Sequence, residues 1–406
     1  MPLPDNKQAT GTLSMKSRWR LIFILASLAA FGPLAIDMYL PAFPQIASDL
    51  HAPQGAVQLS LSVFLIGVSL GQLIYGPLSD RFGRRYLLLF GTALFVFSAL
   101  GCAFTNSAPG LIGWRLVMAL GGSAGMGLSR AIIRDKFAVH EAAEAFSMLA
   151  LVMGAAPIIA PLLGGQVLEA FGWRTIFGVL ATLGTAVWLA VWFWLPESLP
   201  ADKRKQQNVA EAVRGYGALL TNKAFMGYAL VLGFNAGALF TYITCAPHIF
   251  IELNGMTPQV FSLFFGINSL GMIGGAQINR HLLRRFTPRH ILSITLALVA
   301  SAGLLLAVCA LAGIGGFPAL IVLLFLTLAS GGLVGPNATA LALSPFERSV
   351  GSAAALLGTL QFGMGGLAGA LAGAFGNHGA MPMCATLAVC AFVCFAAFHT
   401  LTRRTS

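Results

Sequence analysis

Charge is what this chain has least of. Its 406 residues are 9% Asp, Glu, Lys and Arg and 57% hydrophobic, whereas an ordinary soluble domain is about 25% charged. A water-exposed globular surface cannot be built from that composition. Other absences narrow the chemistry. Histidines 51, 140, 248, 281, 290, 378 and 399 form no H-x-x-x-H or H-E-x-x-H pair, and cysteines 102, 245, 309, 384, 390 and 394 form no C-x-x-C. Metal-centre and dithiol spacings are therefore missing, and the cysteines read as small apolar residues. Gly121-Gly122-Ser123-Ala124-Gly125-Met126-Gly127 looks superficially like a phosphate loop, but no strand precedes it and no G-K-[ST] follows. No ATP-driven engine is visible. A membrane enzyme would need a nucleophile with its base, and a receptor would need a soluble output domain; neither is evident.

Twelve apolar runs are present, near 20–40, 56–77, 86–105, 110–133, 146–167, 174–195, 224–246, 258–279, 290–312, 318–343, 350–375 and 381–401. Each approaches the ~20 residues that a spanning helix needs. The first is too long for the apolar core of a signal peptide and is read as a span. These runs predict an all-α membrane protein of twelve transmembrane helices.

The net charge of +11 could suggest nucleic acid, but its placement argues for topology. Of 24 Lys and Arg, 22 fall at the N-terminal tail, in every second loop or at the C-terminal tail; Arg115 and Arg174 are the exceptions. The positive-inside rule then puts both termini and the basic loops in the cytoplasm, and it requires an even number of spans. Residues 197–223 form the longest polar stretch and divide the chain into 1–196 and 224–406, six spans each. The halves repeat weakly: the segment from Gly275 to Arg285 stands where 76–85 stands in the first half, with Asn279 in place of an acid. Two pseudo-symmetric six-helix halves predict a substrate site between them near the midplane.

Among thirteen acids, Asp37 alone lies inside an apolar run, and Arg115 is the only basic residue well inside one. A charge at the centre of a span costs about 2.5–3.5 kcal/mol on insertion scales, so each calls for a role. Asp37 precedes Pro41 by four residues and Arg115 follows Pro109 by six, which places both roughly 6–9 Å from the same end at ~1.5 Å per residue. Matched depth predicts an ion pair or a shared polar cavity; the pair could equally be a lock between the first and fourth helices. Burial disfavours a carboxylate anion and a nearby cation favours it, so access and cargo could decide whether Asp37 holds a proton. Gly365, Gly369 and Gly373, and likewise Gly67 and Gly71, put small residues on one helical face for close packing. On the seventh helix Asn235, Leu239 and Tyr242 share a face and are candidate cargo contacts, in a setting that suits an apolar or amphiphilic small molecule.

The link Gly76-Pro77-Leu78-Ser79-Asp80-Arg81-Phe82-Gly83-Arg84-Arg85 reads as a short surface loop. It fits G-x-x-x-D-R-x-G-R-R, the signature between helices two and three of the major facilitator superfamily. The chain resembles that superfamily over its whole length, and within it the drug:proton antiporters of the bicyclomycin-resistance branch. The carrying residues are Leu34 to Ala42, the signature itself, Arg115 with Ala119 and Gly121, Arg130 to Asp135, and Gly172 to Phe177. The run from Gly154 to Gly165 looks like the antiporter motif, whose Gly154, Pro157, Pro161, Gly164 and Gly165 suit a hinge. Met118 departs from the family, which usually has Gln there. The resemblance implies a cavity lined by helices one, four, seven and ten, with Met118 and Asp37 as further cargo contacts. It also implies that Asp80 meets the N-terminus of helix eleven, near Val350, when the inner gate is shut. The expected function is proton-coupled export of drug-like small molecules across a bacterial cytoplasmic (inner) membrane. The protein would act as a monomer, with protons as the coupling ion and no other cofactor, nucleic acid or ATP. A proton-coupled symporter, or an exporter of a metabolite such as an amino acid, is the alternative. A reporter fused after Arg404 is expected to be active only in the cytoplasm; activity confined to the outside would overturn the topology.

Overall fold

Inside hydrocarbon every backbone N–H and C=O must find its partner within the protein, which leaves helices as the solution for apolar runs of this length. A computed structural model describes residues 15–137, 139–200, 202, 204, 216–346, 350–375 and 379–402. Twelve helical spans follow one another among these residues: α1 Met15–Asp49, α2 Gln54–Phe82, α3 Arg84–Phe104, α4 Ala108–Lys136, α5 Val139–Phe171, α6 Trp173–Trp194, α7 Lys223–Leu253, α8 Pro258–Leu282, α9 Pro288–Ala312, α10 Gly316–Leu343, α11 Val350–Ala374 and α12 Met381–Leu401. The expected count is met. Arg348, Arg403 and Arg404 lie outside the described residues, as do 201, 203 and the whole of 205–215 in the polar centre.

Two expected boundaries are corrected. The link at 76–85 is not a loop: α2 continues through Phe82 and α3 begins at Arg84, so the joint is Gly83 alone. Its φ of 97° is the left-handed backbone region that a side chain disfavours. Apolarity was a poor guide here because a helix does not end where its side chains turn polar. The first span is also longer than expected. Its α-helix runs Met15–Asp37, is followed by a 3-10 turn at Leu40–Ala42, and resumes at Phe43–Asp49. Pro41 and Pro44 explain the break, since neither can donate to the carbonyl four residues back. Asp37 consequently lies twelve residues before the end of its span, deeper than the depth expected from Pro41. Elsewhere side-chain caps set helix starts: Ser107 accepts from the Gly110 N–H, Asn222 from Phe225, Thr257 from Val260 and Thr287 from His290.

Helices α1–α6 pack chiefly among themselves, and so do α7–α12; α2 against α11 and α5 against α8 form the main seams between the two sets. The seams close at the end away from the basic loops. There Gly373 faces Gln58, Gly369 lies between Ser62 and Thr244, and Gly366 meets the Ser62 carbonyl. At that end Ser262 donates to the Pro161 carbonyl at 3.0 Å, and about midway along α2 Ser69 donates to the Thr359 carbonyl at 2.8 Å, with Gln72 against Gly358. Toward the basic end these contacts cease: a methyl group added at Gly76, Gly274 or Gly351 would meet nothing within 4 Å. The small-residue face at Gly365, Gly369 and Gly373 does serve close packing, against Phe240, Thr244 and Gln58. The bundle is thus shut at one end and splayed at the basic end.

Gly164 occupies the tightest point of the closed end. A Cβ there would collide with the Met38 carbonyl, in the broken segment of α1. Gly164→Ala is expected to lower stability by about 1–3 kcal/mol, the range for overpacking. Gly76→Ala, with open space around it, should leave stability unchanged or slightly raised, as Ala favours helix. Thermal unfolding of the two purified variants checks the difference.

Candidate functional site

The break in α1 builds the site. Where the helical ladder stops, Asp37 is carried into the middle of the bundle, 3% exposed, and its side chain forms no hydrogen bond or ion pair among the described residues. A buried carboxylate anion without a donor or cation is costly. The polar group within its electrostatic reach is Tyr242, which belongs to α7 in the other half. The Tyr242 hydroxyl accepts from the Asn268 side-chain amide of α8 at 2.8 Å, and its ring stacks on Phe265 at 5.7 Å. An acid of one half thus lies within electrostatic range of an oriented hydroxyl of the other, with no hydrogen bond between them.

The expected ion pair between Asp37 and Arg115 is not formed. Arg115 is fully buried and aims elsewhere: Nη1 donates to the Ala35 carbonyl at 2.9 Å and lies 3.8 Å from the Met118 sulfur. Its guanidinium stands between the rings of Tyr39 and Phe64, at 4.3 and 4.1 Å from their centroids. Tyr39 is fixed by a hydrogen bond with Ser60 at 3.2 Å. Aromatic faces offset part of the cation's desolvation, but Nε and Nη2 have no partner. Arg115 thus grips the backbone two residues before Asp37 rather than its carboxylate. Matched depth alone could not show this, because the sequence does not say which way a side chain turns.

The remaining cargo candidates separate. Met118 is sealed behind Arg115 with no exposed surface, and Tyr242 is 2% exposed, so neither meets the splayed cavity in this conformation. Asn235 and Leu239 line a void of about 20 Å³ with Met272, Thr327 and Gly331, space for about one water. Asn268 was missed. As a polar residue inside a span it carried a signal, but its partner Tyr242 sits on another helix.

Helix α5 runs unbroken through Pro157 and Pro161. Its motif faces α8: Gly165 lies against Ser262, Ser262 donates to the Pro161 carbonyl, and Gly154 approaches Ile273. Of the expected hinge residues, Gly154, Pro161 and Gly165 line the seam with α8, while Gly164 packs on α1 of its own half.

At the basic end, Gly76 to Arg85 form the second cluster. Arg84 pairs with Asp80 at 3.1 Å and Asp135 at 2.6 Å and donates to the Ser79 hydroxyl at 2.7 Å. Asp80 engages Arg84 and makes no described contact with the start of α11, which fits a bundle splayed at that end. Glu197, just beyond α6, is a member the sequence reading missed. It accepts backbone N–H bonds from Arg84 at 2.9 Å and Arg85 at 3.3 Å, with further ones from Ser198 and Leu199, and pairs with Arg204 at 3.9 Å. This places an acid on the N-terminus of α3, where the helix dipole favours it. Arg81 is exposed and stacks on Phe82; Arg85 lies over Trp192.

A twelve-span bundle with a lone acid at a broken first helix, and a charge cluster at the joint of α2 and α3, is the plan of a secondary transporter. The chain belongs to the Major Facilitator Superfamily, which it matches over residues 22–370. It is 39% identical over 392 residues to an uncharacterized MFS-type transporter, YdgK, of Bacillus subtilis, covering 96% of each chain. A bicyclomycin resistance protein homolog of Haemophilus influenzae is 31% identical, with 96% of this chain and 98% of the relative covered. Multidrug resistance protein D of Escherichia coli is 30% identical over 84% and 85%. Among solved structures, a D-xylose–proton symporter superposes with a TM-score of 0.73 at 16% identity, covering 96% of this chain and 98% of that one. That likeness concerns the fold.

Burial tends to raise the Glu197 pKa, but the four backbone N–H bonds outweigh it and hold the carboxyl below its ordinary value of 4.5. A depressed acid stabilises the folded state above its unfolded pKa, and that contribution is lost as pH falls through the folded value. Glu197→Gln is therefore expected to cost about 1–2 kcal/mol at pH 7, with the gap to wild type narrowing below about pH 4.5. Unfolding of both proteins across pH 3–7 checks it; a gap independent of pH would refute the assignment.

Proposed function

We propose that this protein is a proton-coupled antiporter that exports hydrophobic or amphiphilic small molecules, antibiotics among them, across the bacterial cytoplasmic membrane by alternating access. The observation that carries this reading is Asp37: a buried carboxyl without an ion pair, at a helix break, within electrostatic range of Tyr242 of the opposite half. The names of the bicyclomycin- and multidrug-resistance relatives support the cargo class and the direction. With the basic end cytoplasmic, as the positive-inside rule implies, the splayed bundle opens inward. Both termini then face the cytoplasm, and a single copy suffices for the cycle.

Coupling follows from what each group does. Cargo from the inner leaflet or cytoplasm enters the cavity between the halves, where Asn235 and Leu239 of α7 are its candidate contacts. As the bundle switches, the seam at Pro161, Gly165 and Ser262 parts, Tyr242 moves away from Asp37, and the acid exchanges its proton with the outer side. Arg115 fixes the turn that presents Asp37 by holding the Ala35 carbonyl. The Asp80–Arg84–Asp135 cluster is assigned to the inner gate, with Asp80 free to exchange Arg84 for the start of α11 when that end shuts. One charge moving through 100 mV supplies about 2.3 kcal/mol, enough for roughly a fifty-fold cargo gradient at ~1.4 kcal/mol per decade.

Asp37→Asn is expected to abolish uphill export and its dependence on the proton gradient, while expression and some downhill exchange survive. The measurement is a drug-susceptibility panel in a pump-deficient host together with dye efflux with and without a protonophore. An Asn variant that still concentrates cargo outward and remains protonophore-sensitive would sink the reading. A deletion that starves cells of a nutrient, without drug or dye accumulation, would favour the symporter alternative.

A further inference from the structure

The two adjacent arginines that open α3 have different surroundings. Arg84 is saturated by Asp80, Asp135 and Ser79. Arg85 turns to the other side, where its guanidinium lies 5.9 Å from the Trp192 ring and Nη2 donates to the Trp192 carbonyl at 2.6 Å, and Nε has no partner. Two residues on, the Trp194 ring carries Arg20 of α1 at 5.6 Å. Neither Arg20 nor Arg85 pairs with a carboxylate among the described residues. The nearest acid in the chain, Glu197, spends its oxygens on four backbone N–H groups and Arg204. The last turn of α6 is thus bracketed by two cations without counter-charge. Trp192, Phe193 and Trp194 are 50%, 68% and 51% exposed, at the basic end of a spanning helix.

We propose that Arg20, Arg85 and the indoles of Trp192 and Trp194 form a binding site for the phosphodiester headgroup of an anionic glycerophospholipid. Each part of the chemistry is present. Guanidinium forks bind phosphate oxygens bidentately. Indoles settle at headgroup depth, where one edge is apolar and the N–H is wet. Stacking on indole holds each guanidinium in place without neutralising it. Arg284 and Arg285, at the basic end of the second half, lack such a frame, since no aromatic ring stacks with either among the described residues. General attraction of basic residues to an acidic membrane would act on both pairs; a built site would act on the first alone. Because Arg85 follows directly on Arg84, a headgroup here would bear on the cluster assigned to the inner gate.

Native mass spectrometry of the detergent-purified full chain, titrated with phosphatidylglycerol and with phosphatidylcholine of the same acyl chains, tests the site. Wild type should retain phosphatidylglycerol in preference. Arg20→Gln with Arg85→Gln should weaken retention about thirtyfold, which is about 2 kcal/mol at ~1.4 kcal/mol per decade for two arginines at about 1 kcal/mol each. Arg284→Gln with Arg285→Gln should change it less than twofold. Should the double variant fail to fold, Arg20→Gln alone, whose exposed side chain touches only the Trp194 ring, should give about a fivefold loss. Trp192→Leu with Trp194→Leu should weaken retention with every charge kept. Equal loss from the two arginine pairs, equal retention of the two lipids, or full competition by millimolar inorganic phosphate would each overturn the proposal.

Discussion

Lipid cannot solvate an ion, and this constraint organises the whole molecule. It drives nearly all the Lys and Arg to one end of the bundle and leaves the spans to Gly, Ala and aliphatic residues. It also demands that the two ionisable groups kept at depth, Asp37 and Arg115, be wrapped by protein. The wrapping differs. Arg115 receives two aromatic faces and a backbone carbonyl, which suits a cation that never gives up its proton. Asp37 receives neither a cation nor a donor, which suits a group whose charge has to change.

The same composition sets how the halves meet. With few polar side chains to hold them, the seams rely on surfaces that fit: Gly165 near Ser262, Gly366 on the Ser62 carbonyl, Gly373 on Gln58. Fitted apolar surfaces in lipid gain little from hydrophobic drive, so such a seam can part and re-form at modest cost. Two polar ties across it, Ser69 to Thr359 and Ser262 to Pro161, use hydroxyls that can turn back to their own helix, and Ser262 already shares its proton with the Pro258 carbonyl at 2.8 Å; a third joins the exposed Gln259 amide to the Glu169 carboxylate.

How far the sequence could be read follows from which interactions are local. Span number and the isolation of Asp37 depend on composition and were legible. Helix ends were less so, because polar residues such as Asp80 and Arg81 continue α2 to Gly83 once water is near. Partners were not legible. Nothing near Arg115 in sequence points to Ala35, Tyr39 and Phe64, and nothing near Glu197 says that it caps α3, more than a hundred residues earlier. The signature 76–85 held Asp80, Arg84 and Arg85 of the charge cluster without Asp135 or Glu197, which complete it from α4 and from beyond α6.

In the proposed coupling, Asp37 must bind the proton with different affinity in the two conformations, since a ligand held equally by both shifts nothing. The first half alone offers no such difference. Arg115, Tyr39 and Ser60 all belong to it and are tied to one another and to the Ala35 carbonyl. The difference has to come from the other half, and Tyr242 with Asn268 is what that half presents at the closed end. In the proposed cycle Asp37, 3% exposed with the end shut, is reached by water when that end parts, and water can solvate the anion. The coupling so proposed turns on the approach of the two halves rather than on the Asp37–Arg115 pair that matched depth suggested.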